Sequence, residues 1–180
     1  MMGPFDPFAH LSPRTSRWIG GLSLLATVLL TAALGVCDVH LRTPAAPNGI
    51  VSFELAGSMP VSQAIIASWD ALARTYAGLS LGLDFLYLLA YSTLFAWTCA
   101  WAARRGPNAW RVLGRWLMWG QWLAALADYF ENVSLVALLV GAQLGLWPVL
   151  AWSCAVVKFA LLGAGALFSV AGVGVRATTR

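Results

Sequence analysis

The sequence predicts an all-α, polytopic membrane protein: a four-helix bundle with both termini cytoplasmic and a structured outer loop that carries a surface helix. Three observations carry this reading. Of the 180 residues, 60% are hydrophobic and only 10% charged, whereas soluble domains carry about 25% charged residues. Mean hydropathy is +0.76, so 11 basic and 7 acidic side chains are too few to clothe a soluble fold of this size. The apolar residues also gather in four runs, each near the ~20 residues that a helix needs to cross a bilayer. Together these exclude a disordered chain, a disulfide-stapled secreted domain and a conventional cytosolic enzyme.

Span one covers 18–36, contains no charge and follows a cytoplasmic tail over 1–17. Arg14 and Arg17 resemble the n-region of a signal peptide, and Leu34-Gly35-Val36-Cys37 approaches a lipoprotein cleavage box. Val36 is too large for that box and the apolar run too long for an h-region, so the segment is expected to be retained as a true span. Spans two, three and four cover 77–101, 117–143 and 147–173, giving a transmembrane domain over 18–176 and a short tail over 177–180. Orientation follows from the arginines. Arg14, Arg17, Arg104, Arg105, Arg111, Arg115, Arg176 and Arg180 fall on one side, and only Arg42 and Arg74 on the other. The rich side is expected to be the cytoplasmic one, and the protein is expected to lie, multi-pass, in the plasma (inner) membrane of a bacterium. The net charge of +4 is thereby explained without nucleic acid.

The outer loop, 37–76, is too long for a bare connection. Thr43-Pro44-Ala45-Ala46-Pro47 reads as turn-rich, after which Asn48 is expected to N-cap a short helix through Ile50, Phe53 and Ala56, stopped by Gly57. That helix carries Glu54. Ser58 is expected to cap a second helix with Val61, Ile65, Trp69, Leu72 and Tyr76 on its apolar face and Asp70 paired with Arg74, lying on the outer surface and leading into span two. Cys37, Cys99 and Cys154 show no metal spacing; a Cys37–Cys154 disulfide is one option and small packing residues the other.

Polar residues inside the spans are the informative ones. Ser80, Asp84, Tyr87, Tyr91 and Thr98 share one stripe of span two. Asp128, Glu131 and Asn132 crowd one face of span three, which also holds Gln121, and span four carries Lys158. Counted from the outer ends, Lys158 and Glu131 lie at similar depth, which suits an ion pair between spans three and four. A charge at mid-bilayer costs roughly 2.5–3.5 kcal/mol on insertion scales, and three acids face one lysine. Protonation, a bound cation or a water-filled cavity can absorb the excess, and each requires a polar interior. The alternative is that these groups serve only as interhelical hydrogen-bonding glue. Trp18, Trp101, Trp116, Trp119 and Trp147 fall near the expected interfaces, where indole rings anchor.

Several chemistries are excluded. The two histidines, His10 and His40, lie outside the spans, so haem ligation or a His-rich metal site in the bundle is not expected. There is no phosphate-binding glycine loop, dinucleotide fingerprint or serine nucleophile elbow. No cofactor and no metal site are implied. The segments Gly49-Ile-Val-Ser-Phe-Glu-Leu-Ala56, Gly82-Leu-Asp-Phe-Leu-Tyr87 and Asp128-Tyr-Phe-Glu-Asn132 resemble those of an uncharacterised family of bacterial four-span integral membrane proteins. That resemblance runs from Thr43 to about Leu139 and implies that the three segments act together. At the level of architecture alone, the chain is similar to the sterol-isomerase and sigma-2-receptor superfamily, which implies buried carboxylates that protonate or bind amphipathic ligands.

Three classes of function remain. The first is a module that binds a cation, proton or small amphipathic ligand between spans two, three and four. Its candidate residues are Asp84, Asp128, Glu131, Asn132, Tyr87, Tyr91, Lys158 and, on a lid, Glu54. The second is a structural or assembly subunit, as a homo-oligomer or within a larger membrane complex. The third is a lipid-modifying enzyme working by carboxylate acid–base chemistry, which the sequence favours least. The bilayer is a partner in every case.

Overall fold

The computed structural model describes residues 5–178, with helices α1 (Pro13–Val39), α2 (Ile50–Glu54), α3 (Met59–Ser68), α4 (Ala71–Ala103), α5 (Asn108–Leu139) and α6 (Leu146–Thr178). Among the described residues there is no strand beyond an isolated bridge between Thr43 and Ala46. Four helices, Pro13–Val39, Ala71–Ala103, Asn108–Leu139 and Leu146–Gly174, are long and apolar enough to cross a membrane.

The helix ends have local causes. Ser12 accepts the Thr15 N–H at 3.1 Å and Pro13 opens α1, a position where its missing N–H is harmless. Asp70 caps α4 by accepting the Ala73 N–H at 2.7 Å. α5 stops at Leu139, four residues before the expected end of span three. Gly141, at φ 98°, closes it in a Schellman turn, with Gly141 N–H to Leu138 O and Ala142 N–H to Ala137 O.

The loop is helical as expected but its details differ. Gly49, not Asn48, precedes α2; it sits at φ 57° without a side-chain cap, and Asp38 Oδ1 receives the Ile50 N–H at 2.9 Å. A Cβ on Gly49 would strike that carboxylate. α2 ends at Glu54 rather than running to Gly57. The expected helix from Ser58 to Tyr76 breaks at Trp69, which is extended, because Asp70 starts a new helix. Arg74 therefore donates through Nε to Trp69 O at 3.1 Å instead of pairing with Asp70. Ser62, Ile65 and Trp69 are the buried line, while Val61 and Leu72 are exposed. No disulfide joins Cys37 and Cys154.

The chain forms two compact units. The first comprises Met1–Thr27, Leu89–Ala125 and Lys158–Arg180. Its core is Phe8, Ala96, Cys99, Ala100, Ala102, Ala103, Met118 and Phe168. Small residues set the spacing: a Cβ on Gly114 would come 2.5 Å from Ala103 Cβ, and one on Gly172 2.5 Å from Ala102 Cβ. The indole of Trp110 stacks on Phe168 with centroids 4.2 Å apart and donates to Ala102 O.

The second unit comprises Val28–Leu88 and Leu126–Val157. Leu41, Ala46, Phe53, Ile65 and Trp69 from the loop pack with Ala73, Ala77, Leu81, Leu135, Leu138 and Ala151. Trp69 is its keystone. The ring meets Phe53 edge-on at 5.3 Å, and its Nε1–H donates to Leu41 O at 2.8 Å.

Candidate functional site

The second unit holds Glu54, Asp84, Tyr87, Asp128, Glu131 and Asn132, while Tyr91 and Lys158 belong to the first. On α5, spacings of three and four residues bring Asp128, Glu131 and Asn132 to one face, and they are 1%, 0% and 0% exposed. The intervening Tyr129 and Phe130 are exposed on the opposite side. The polar line continues to Ser134, also fully buried, whose hydroxyl bonds Phe130 O.

Asp84 joins this face from α4. Its Oδ2 accepts from Asn132 Nδ2 at 2.8 Å. The amide nitrogen therefore faces Asp84. That turns Asn132 Oδ1 the other way, where it is buried without a hydrogen-bond partner among the described residues. Ser80, one turn before Asp84, is buried as well. Glu54 is buried on α2. α5 thus places two buried carboxyl groups and a buried amide on one face, with the half-buried Asp84 of α4 bonded to that amide.

Tyr87 has a different setting. Its hydroxyl oxygen receives Thr31 Oγ1–H at 3.2 Å, and it helps line a cleft of about 460 Å³ with Leu34, Asp38, Arg42, Asn48 and Ile50. In the first unit, Tyr91 is buried. So is Lys158, whose Nζ lies 4.8 Å from the Phe159 ring centroid. Gln121, grouped with the acids by sequence, is bound within the first unit. Its Nε2 donates to Leu117 O at 3.0 Å and Leu161 O at 3.1 Å, in a space kept open because Gly165 has no side chain. Nearby, Ser169 Oγ donates to Gly165 O at 2.8 Å and stands 3.0 Å from Thr98 Oγ1. These are contacts of the glue type.

Sequence reasoning missed Asp38. It lies just beyond the apolar run of span one and both starts α2 and bridges Arg42 at 3.0 Å. An acid placed where an apolar run ends was the available signal. Among the described residues, no group of three or more His, Cys, Asp or Glu side chains is arranged to hold a metal ion.

These features define a class: an all-helical chain with four helices of membrane-crossing length and apolarity, with two carboxyl groups buried on one of them, α5, and a half-buried one on α4. Comparison with family models, curated proteins and solved structures finds no match.

Proposed function

We propose that the protein is a multi-pass bacterial inner-membrane protein, a four-helix bundle with cytoplasmic termini, that binds a small cationic or amphipathic ligand at the acidic face of α4 and α5. One observation supports this above all others. Asn132 ties itself to Asp84 through its nitrogen and leaves its oxygen buried, on a helix face that it shares with the buried Asp128 and Glu131. Carboxylates and an amide oxygen are all acceptors, and a donor-rich cation such as an ammonium complements them. With no convergent metal-type ligand set among the described residues, an organic amine suits the site better than a divalent ion.

Thermal unfolding of the purified protein across cations and amphipathic amines tests the reading, with Asp84→Asn and Glu131→Gln in parallel. A ligand at 100 times its Kd stabilises by about 2.7 kcal/mol. The expected result is an amine that raises the melting temperature of the wild type and not of the variants. An equal rise in all three proteins, or no rise with any compound, rejects it.

A second reading is an assembly subunit. It is supported by α1, where Gly21 and Gly35 have no atom within 4 Å of an added Cβ and so offer flat ground for close helix approach. A complex larger than a monomer in mild detergent, dispersed by Gly21→Leu or Gly35→Leu, is its signature.

A further inference from the structure

The first unit contains a cavity of about 290 Å³ lined by Asp6, Ala9, Ala103, Arg104, Arg111 and Arg115. Three guanidinium groups against one carboxylate leave the wall with two positive charges in excess. The side chains are held from behind. Arg104 is tethered to Asp6 Oδ2 at 3.2 Å. Arg111 Nε donates to Gly106 O at 3.1 Å, and Arg115 Nε to Arg111 O at 3.4 Å. Asp6 is itself fixed, because its Oδ1 accepts the N–H of Phe8, whose ring is part of the core. Each tether occupies a fraction of the five donors on a guanidinium, so the remaining donors stay available on side chains already restrained. Restraint before binding lowers the ordering cost of a ligand.

We propose that this cavity binds the phosphodiester headgroup of an anionic phospholipid, with Arg104, Arg111 and Arg115 as its ligands and Asp6 positioning Arg104. Arginine forks match phosphate oxygens in a bidentate manner. The volume is several times the ~30 Å³ share of a water molecule, enough for a phosphate with its first substituent. A lipid is favoured over a free phosphate by the surroundings on α5: Leu113 and Trp116, between and beside the two arginines in sequence, are both exposed. A soluble phosphate ester gains nothing from an exposed leucine and indole, whereas acyl chains do, and tryptophans gather at headgroup depth. The positive-inside rule accounts for arginines on this side of the membrane. It does not account for three of them around one cavity.

The test uses the full-length purified protein and a fluorescent short-chain phosphatidylglycerol. Phosphatidylcholine and soluble glycerol phosphate are the comparison ligands. Arg111→Gln with Arg115→Gln removes two ligands, and Arg14→Gln with Arg17→Gln removes the same charge elsewhere in the unit. The expected result is phosphatidylglycerol binding at least tenfold tighter than phosphatidylcholine, lost in the Arg111/Arg115 variant and kept in the Arg14/Arg17 variant. Arg104→Lys keeps the charge but removes the fork that Asp6 holds in place, so it should weaken phosphatidylglycerol binding several-fold. This variant carries the test if the double replacement unfolds. Equal losses in both double variants would show diffuse charge attraction and overturn the site. Competition by glycerol phosphate at the same concentration as the lipid, or unchanged binding in Arg104→Lys, would overturn it as well.

Discussion

The two units solve the packing problem with opposite materials. The first brings helices together through alanine and glycine, with Gly114 against Ala103 and Gly172 against Ala102, and fills the remainder with Phe8, Trp110 and Phe168. Its polar contacts include short links between one side chain and a carbonyl, as at Gln121 and Ser169. The second builds its core from large loop residues, Phe53, Ile65 and Trp69, and encloses Glu54, Asp128, Glu131 and Asn132 on its elements, with Asp84 half-buried beside Asn132. A unit held by small residues tolerates no added atom at its helix contacts, such as Gly114 and Gly172. A unit held by one large ring and a polar face tolerates no subtraction. The contrast also separates stability from function: buried acids contribute little to helix association, so their concentration in the second unit asks for a reason other than packing.

Removal of Trp69 is the harshest way to break the comparison. Trp69→Ala deletes the contact with Phe53 and the bond to Leu41 O, and buried aromatic-to-alanine changes cost about 3–5 kcal/mol. We expect thermal unfolding to fall accordingly, with proteolysis of the loop appearing first. A loss below about 1 kcal/mol would mean the loop core does not support the second unit. Next comes addition in the first unit. Gly114→Ala places a methyl against Ala103 and Phe168, and overpacking costs about 1–3 kcal/mol. Gly163→Ala on α6 meets open space and should stabilise by up to about 1 kcal/mol through helix propensity. Opposite signs for the two alanines are the expected outcome in a denaturation series; equal signs would dissolve the argument from close packing.

Asn132→Leu probes the polar face more gently. It removes the donor to Asp84. Hydrogen bonds in membrane proteins average about 0.6 kcal/mol, with a maximum near 1.7, so a modest loss of stability is expected alongside complete loss of any amine-dependent stabilisation. Ligand response that survives Asn132→Leu would remove this residue from the site.

Much of the fold was legible because membrane-length apolar runs leave few alternatives. Composition and run length found all four long helices, and the 3.6-residue period placed Asp128, Glu131 and Asn132 on one buried face. Two kinds of information were not legible. Helix ends depended on capping: Gly141 stopped α5 early, and Asp70 interrupted what the apolar period of Ile65, Trp69 and Tyr76 presented as one helix. Pairing between distant residues depended on packing. Nothing in the order of residues says that Gln121 will lodge against Gly165, or that Tyr87 will meet Thr31 in a cleft while Asp84 meets Asn132. A shared stripe on a helix does not make a shared site, because a stripe that wide can face more than one neighbour.

The variants expected nearest the wild type concern Asp38, and they discriminate between two things it does. Its ion pair with Arg42 joins side chains that are 19% and 64% exposed, and exposed pairs contribute about 0–1 kcal/mol. Its other oxygen accepts the Ile50 N–H at the start of α2, and losing such a cap costs about 0.5–2 kcal/mol. Arg42→Gln removes only the pair. Asp38→Asn keeps an oxygen for Ile50 and removes the charge, whereas Asp38→Ala removes both. If the cap matters, unfolding measurements will place Arg42→Gln and Asp38→Asn close to the wild type and Asp38→Ala about 1 kcal/mol below them. If all three variants fall together, the ion pair rather than the cap fixes α2. Adding salt will then weaken the wild type toward Arg42→Gln, since screening acts on the charge pair and leaves the amide bond alone.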